Sequence, residues 1–403
     1  GDLIAATTQG SLFQSQYVYT PPTDVNGESV DVSNCHLAIF VTESQQEIYT
    51  GISIEADGGS DNGDHAPFIG DFTGLTNQAV EGATSSVSGF SFSIDPLVSG
   101  SNNYDFELTS NEPGDWGATY SVDGTIYTGP QTLSLTNGMP ANITIDVTPG
   151  ITPAVSDYTL TMTLSSNAVA VQQQSVYVIS GVTDLIVHGS GSNGAGTGNG
   201  SVDYEAEFTD GLAFASNSEY AAASAELFNL LSDNSALSVV NNIYLNIGWT
   251  FPSLSDEDAS NLETFMDNGG NLMITGQDIA WDIASGDGYG TAATQSFFTN
   301  YLHAGYAGDG STANNSLQAV AADNVFGAVA TSTIVDVYSG NMYPDELTLG
   351  AGAEEIFKYN GGSKIGGIKF DNGTYKVVYL GIGLEMIADN SVKDQIVKLS
   401  HDW

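Results

Sequence analysis

The side chains able to do metal or acid–base chemistry are unevenly spread along this sequence. Asp57, Asp61 and Asp64 lie close together in ADGGSDNGDHAP (56–67). Glycines between the acids let a loop fold oxygen ligands round a hard cation, and calcium takes roughly six to eight oxygens. The spacing is not that of an EF-hand, so solvated turn acids stand beside a calcium loop as readings of the segment. His65 adjoins the cluster but suits softer metals. His36, His188, His303 and His401 are scattered with no two at zinc-ligand spacing, so each is expected to be structural. Gly189-Ser190-Gly191-Ser192-Asn193-Gly194 matches G-x-G-x-x-G after an apolar run. A dinucleotide site also needs a helix opening at the third glycine, and here glycines continue to Gly200, so a flexible loop is expected. Cys35 is the single cysteine, so no disulfide can form within the chain.

Charge narrows the classes of function. The 403 residues hold six lysines, no arginine and 48 acidic side chains, for a net charge of -42. Every lysine lies at or beyond Lys358. Such a surface repels phosphate, which excludes nucleic acid held through its backbone and makes anionic membranes poor partners. No apolar run reaches the roughly 18–20 residues of a membrane-spanning helix, so no membrane insertion is expected. Carboxylates without counter-charges must be screened by salt or divalent cations, which fits saline or calcium-rich surroundings. The chain opens at Gly1 without Met. It reads as a mature extracellular or cell-surface protein after removal of a leader.

The elements that must position these groups fall into three stretches. In residues 1–80, HLAIFV (36–41) and EIYTGISIE (47–55) alternate as strands around a short SQQ loop, and SLFQSQYVYT (11–20) is a further strand ended by Pro21-Pro22. This is a β-rich domain or the remnant of a larger one. Residues 81–181 carry about seven period-2 strands, separated by turn signals such as Asp123-Gly124 and Asn137-Gly138. That pattern predicts an immunoglobulin-like sandwich. From 182 to 403 the texture changes. DLIVHG (184–189), NNIYLNIGW (241–249) and NLMITG (271–276) are short buried strands, and EYAAASAELFNLL (219–231) has helical spacing. SLSDEDASNLETFMDNGG (253–270) is a helix with Ser255 as N-cap, acids in its first turn and Gly269-Gly270 as its stop. ATQSFFTNYL (293–302) and SVKDQIVKLSHDW (391–403) are further helices, and KIGGIKFDNGTYKVVYLGIG (364–383) is a hairpin. Strand–helix alternation predicts a doubly wound α/β domain, so the fold class expected is multidomain: all-β sandwich modules, then an α/β doubly wound flavodoxin-like domain.

The segment LSDEDASNLETFMDNGGNLMITGQDIAWDI (254–283), with FFTNYLHAGY (297–306), MYPDELTLGAGAEEIFKY (342–359) and YKVVYLGIGLEMI (375–387), resembles a flavodoxin-like domain of secreted and cell-surface Bacteroidota proteins. That domain is related to class I glutamine amidotransferases, and the segment before it resembles a bacterial immunoglobulin-like module. Proteins of this kind are commonly exported by the type IX system. The amidotransferase type implies a Cys nucleophile on a strand–turn–helix elbow and a His on a late strand. The elbow reads Gly276-Gln277-Asp278-Ile279-Ala280 and the late strand LGIGLE (380–385), with neither Cys nor His. The resemblance therefore implies a degenerate, non-catalytic domain, a pseudoenzyme. Asp278, Asp282 and Glu385 could line the old crevice, or serve helix capping and turn bonding instead.

The function expected is that of a non-catalytic extracellular surface protein for adhesion, scaffolding or assembly, such as a filament or sheath subunit. Its partners would be other copies of itself, or cell-surface proteins or glycans. The alternative is an accessory, non-catalytic part of a secreted hydrolase such as a peptidase.

Overall fold

The computed structural model describes residues 69–188 and 204–403, and before them the backbone of four short strand segments. These are β1 (Asp24–Val25), β2 (Glu28–Ser29), β3 (His36–Glu43) and β4 (Glu47–Glu55). β3 and β4 pair antiparallel with Ile39 opposite Ile52, as their alternating apolar positions predict. The acids Asp57, Asp61 and Asp64, with their calcium reading, lie outside the described residues. So do the strand expected at 11–20, Cys35, His65 and the glycine run 189–194.

Two five-stranded sheets follow. They are built from β5 (Gly70–Thr73), β6 (Ala79–Glu81), β7 (Ser88–Pro96), β8 (Ser101–Ser110), β9 (Gly117–Val122), β10 (Thr125–Tyr127), β11 (Gln131–Thr136), β12 (Ala141–Thr148), β13 (Ala154–Leu164) and β14 (Asn167–Ser180). One sheet runs β10-β9-β12-β7-β5 and the other β11-β8-β13-β14-β6. Strands 5-7-12-9 facing 8-13-14 reproduce the ABED and CFG order of immunoglobulin-type sandwiches. Period-2 sequence is the cause, because alternate residues point inward. Phe90, Phe92 and Ile94 of β7 meet Tyr158, Leu160 and Met162 of β13 in one core, with Ile143, Ile145 and Val147 of β12 beside them. The sandwich starts at Ile69 rather than at 81, since β5 and β6 each complete an edge of a sheet.

Beyond Val182 the strands form one eleven-stranded sheet in the order β16-β15-β17-β18-β25-β24-β23-β20-β21, with β19 and β22 attached beside it. Its first five members are parallel: β15 (Asp184–His188), β16 (Tyr220–Ser224), β17 (Asn242–Gly248), β18 (Asn271–Gly276) and β25 (Lys376–Leu380). Helices α1 (Tyr204–Phe214), α2 (Ala225–Asp233) and α3 (Asp256–Asp267) connect the first four, as parallel neighbours require. After α4 (Ile279–Ala284) and α5 (Ala292–Asn300) the alternation stops. Six strands follow in succession before β25: β19 (Ala304–Gly308), β20 (Ser316–Ala319), β21 (Ser332–Thr333), β22 (Glu346–Leu349), β23 (Glu354–Tyr359) and β24 (Ile365–Asp371). They pair antiparallel, so turns suffice to join them and no crossover helix is needed. Strand makes up 42% of the structure and helix 19%. The expectation of a doubly wound flavodoxin-like domain is therefore corrected: the chain is a mostly β protein of several sheets, without sustained strand–helix alternation.

Two local readings also change. The helix expected over 219–231 divides into β16 and α2, because Tyr220–Ser224 pair in register with β15 and Ser224 then becomes the N-cap of α2. Helix α1 went unread in the sequence. It packs on α6 (Asn390–Asp402) through Gly211, where an added Cβ would stand 2.4 Å from Val397. The N-cap expected at Ser255 is present, and it is part of a capping box in which Asp258 accepts from the Ser255 N–H. Sandwich and sheet meet where Ala79, Ile179 and Val182 enter the core of the second unit and Asn234 accepts from the Gln78 N–H at 3.0 Å.

Candidate functional site

The parallel strands end together, and their carboxyl ends carry the groups with chemistry. β17 ends at Gly248 and continues into Trp249 and Phe251. β18 ends at Gly276 and continues into Gln277 and Asp278. β25 leads to a single 3-10 turn, Leu384–Met386, which carries Glu385. Buried strands place short loops here because runs such as NIYLNIG and NLMITG have nowhere to expose a polar side until they leave the sheet.

Asp278 is the residue most out of the ordinary. It has φ 62° and ψ 10°, the left-handed region that few non-glycine residues occupy, and it makes no capping bond to α4. Its Oδ2 accepts from Trp249 Nε1 at 2.7 Å. Its Oδ1 is buried with no partner. Burial, then the charge of Asp309, pushes its carboxyl up to about 7, although the Trp249 bond pulls the other way and Asp282 adds to the rise.

The cap that Asp278 does not make comes from a residue the sequence reading missed. Asp345, fully buried, accepts from the backbone N–H groups of Ala280 at 2.6 Å and Trp281 at 3.1 Å. Burial and the neighbouring Asp278 raise its carboxyl well above the usual range, against the pull of those two N–H bonds. Asp309 is raised in turn, by burial and then by Glu346. Sequence offered no signal for this cluster, because Asp278, Asp309 and Asp345 are brought together only by the path of β19 and β22 around the end of β18.

The other two expected crevice residues are engaged structurally. Asp282 accepts from the Ser253 N–H at 2.7 Å and the Tyr289 N–H at 2.8 Å, tying two loops together. This is the turn-bonding reading. Glu385 accepts from Asn246 Nδ2 at 2.8 Å and from the Tyr338 hydroxyl at 2.7 Å. Burial raises its carboxyl, opposed by those two bonds. Gln277, at the elbow, is also held at both ends. Its Nε2 donates to Asn341 O at 3.0 Å, and its Oε1 accepts from the Tyr343 N–H at 3.0 Å.

Aromatic rings lie over these acids. Trp249 contacts Phe251, Tyr338 and Tyr343 with centroids 5.7 to 6.2 Å apart, and Phe251 contacts Trp281 at 5.6 Å and Tyr289 at 6.3 Å. Tyr338 is buried, Tyr289 is 54% exposed, and the other four are half-buried. The signal for them was present as aromatic residues directly after a buried strand (GWTF, 248–251).

Among the described residues, no group of three or more His, Cys, Asp or Glu side chains is placed to hold a metal ion. His188 faces Glu205 at 3.6 Å, His303 stacks on Phe370, and His401 bonds Asp184, so these three histidines hold structural contacts. No helix of the described residues is long and apolar enough to cross a membrane.

No family model matches the chain, and no curated protein matches it. Among solved structures, the mmIFT52 N-terminal domain is similar over 55% of this chain and 96% of its own, at 11% identity and a TM-score of 0.36. The N-terminal domain of PorA is similar over 26% of this chain and 90% of its own, at 11% identity and a TM-score of 0.20. WR4, a C. elegans MSP family member, is similar over 27% of this chain and 95% of its own, at 12% identity and a TM-score of 0.18. At TM-scores this low, none of the three bears on what this chain does.

Proposed function

We propose that the chain is a non-catalytic extracellular protein of the adhesion or scaffolding kind, and that it holds a ligand at the carboxyl ends of its parallel strands. The observation that carries this reading is the elbow after β18. Gln277 in the turn after β18 and Glu385 in the turn after β25 are both bound at both ends to the protein itself. Side chains so fixed hold these loops in place. Asp278 Oδ1 is the exception, a buried acceptor without a partner beside half-exposed rings. Such an atom costs about 1–3 kcal/mol unless something donates to it, and a ligand's hydroxyl or amide is a suitable donor. The net charge of -42 disfavours anionic ligands and favours uncharged ones such as neutral glycans.

A panel of amide, ester and peptide substrates tests the non-catalytic part. No turnover is expected from the intact chain. Turnover that disappears in Asp278→Ala would overturn the reading.

A further inference from the structure

We infer that the loop 308–310, which follows β19, is a pH-operated gate at the β18 elbow. It lies closed while the carboxyls there are neutral, and it is displaced once Asp278 and Asp309 are charged together. The gate is a property of the fold and does not depend on what the site holds.

Three carboxyls converge here, and two of them have no freedom to move apart. Asp345 is fixed by the Ala280 and Trp281 N–H groups. Asp278 is fixed by its left-handed backbone, φ 62°, and by the Trp249 indole. Asp278 is 4% exposed and its Oδ1 has no donor, so charge on that oxygen is neither hydrated nor bonded. Asp309 is the third. It reaches solvent, stands between Gly308 and Gly310, and among the described residues no hydrogen bond holds its carboxylate. After burial, Asp309 does most to raise the Asp278 carboxyl, and it acts on Asp345 as well. Repulsion between two fixed charges and a movable one is relieved by moving the third.

The other groups around the elbow leave this repulsion in place. Asp282 of α4 adds to it, and Glu346 acts on Asp309. Lys364 pairs with Glu346 and with none of the three. Glu385 is taken up by Asn246 and Tyr338. Burial, and then neighbouring carboxyls, keep the phenols of Tyr306 and Tyr379 neutral. The closed loop is seated without slack. A Cβ added at Gly310 would stand 2.0 Å from Pro344 O and 2.7 Å from Asn314 Nδ2, and Asn314 donates to Glu346 at 3.1 Å. The loop thus presses on the segment that carries Asp345, and a small outward shift unseats it and lets water reach Asp278.

The test is amide hydrogen exchange on the full chain, read in peptides covering 304–315 and corrected for the intrinsic pH dependence of exchange, from about pH 5 to about pH 9. Protection of the loop should fall about tenfold or more beyond the intrinsic change as pH rises through neutrality, while peptides of β8 and β13 keep theirs. The fluorescence of Trp249, taken as the difference from Trp249→Phe, should shift over the same range, because its indole bonds Asp278. Asp278→Asn keeps an acceptor for the indole, and Asp309→Asn removes the movable charge, so each should leave the loop protected throughout. Gly310→Ala should leave it unprotected at the acid end as well, with circular dichroism unchanged. Loop protection that does not vary with pH in the intact chain overturns the inference, and so does opening that survives in both Asn variants. Neither result bears on the non-catalytic reading, which turnover alone decides.

Discussion

The sandwich and the eleven-stranded sheet treat charge in opposite ways. Among the described residues of the sandwich, the buried polar side chains are Ser121, Ser156 and Ser180, and every acid stays at least partly in water. The second unit buries Asp184, Asp258, Asp278, Asp282, Asp345 and Glu385, together with Lys369 and Lys393. A period-2 sandwich can turn most polar residues outward, and among its described acids single oxygens of Asp95 and Glu112 are closed off from water. Parallel strands covered by helices have no outward face, so polar groups gather where loops leave the sheet. Buried charge there must be paired, capped or neutralised. Asp184 takes bonds from Thr183, Asn217, Asn242, Tyr244 and His401, and Lys369 meets Asp323 at 2.5 Å. Among the buried acids of the second unit, Asp278 is left with an open oxygen.

The largest effect should come from breaking a buried pair in the second unit. Lys369 bridges Asp323, Glu354 and Asn324 and lies over the Trp403 ring. Lys369→Ala should cost about 3–5 kcal/mol in urea titrations, because Asp323 is left buried without a counter-charge, held only by the Val325 and Phe326 N–H groups. A loss below about 1 kcal/mol would mean that water reaches Asp323 freely, and the contrast between the units would be gone.

An effect of similar size and distinctive sign belongs to Asp278. Its folded pKa of about 7 lies above the ordinary 3.8. The folded state therefore prefers the protonated form, and this stabilisation is complete below about pH 4 and is lost as pH rises through about 7. Glu385 and Asp345 are shifted in the same direction. Stability should fall between about pH 4 and pH 7, with Asp278 contributing on the order of 4 kcal/mol. Asp278→Asn should flatten the profile by that amount. An unchanged profile would show that the carboxyl ionises in the folded state as it does in water.

The smallest effect is expected in the sandwich. Glu107 is exposed on β8, so Glu107→Gln should shift stability by less than about 0.5 kcal/mol and leave the pH profile as it is. A shift as large as that of Asp278→Asn would show that long-range repulsion, and not burial, governs the acids of both units.

The sequence by itself determined the local devices. Period 2 announced the sandwich strands, Ser255 with the acids after it announced the start of α3, and Asp371-Asn372-Gly373 announced the hairpin of β24 and β25. It placed Asp278, Asp282 and Glu385 near strand ends, because a polar residue directly after a buried run has to lie there. It also fixed the charge balance, with no basic residue before Lys358. Tertiary structure decided the rest. YAAAS reads as helix by propensity and became strand β16, because pairing with β15 and packing against the sandwich outweigh propensity. The run of antiparallel strands from β19 to β24 replaced the alternation expected there, since short apolar runs leave strand direction open until their neighbours are in place. The roles of the acids were also decided at this level. Asp282 and Glu385 became connectors, Asp345 became the cap of α4, and Asp278 was left with a free oxygen under the rings. Several of these outcomes depend on approaches between residues far apart in the chain, such as Asp345 and Ala280, 65 positions apart, and no local pattern encodes such a distance.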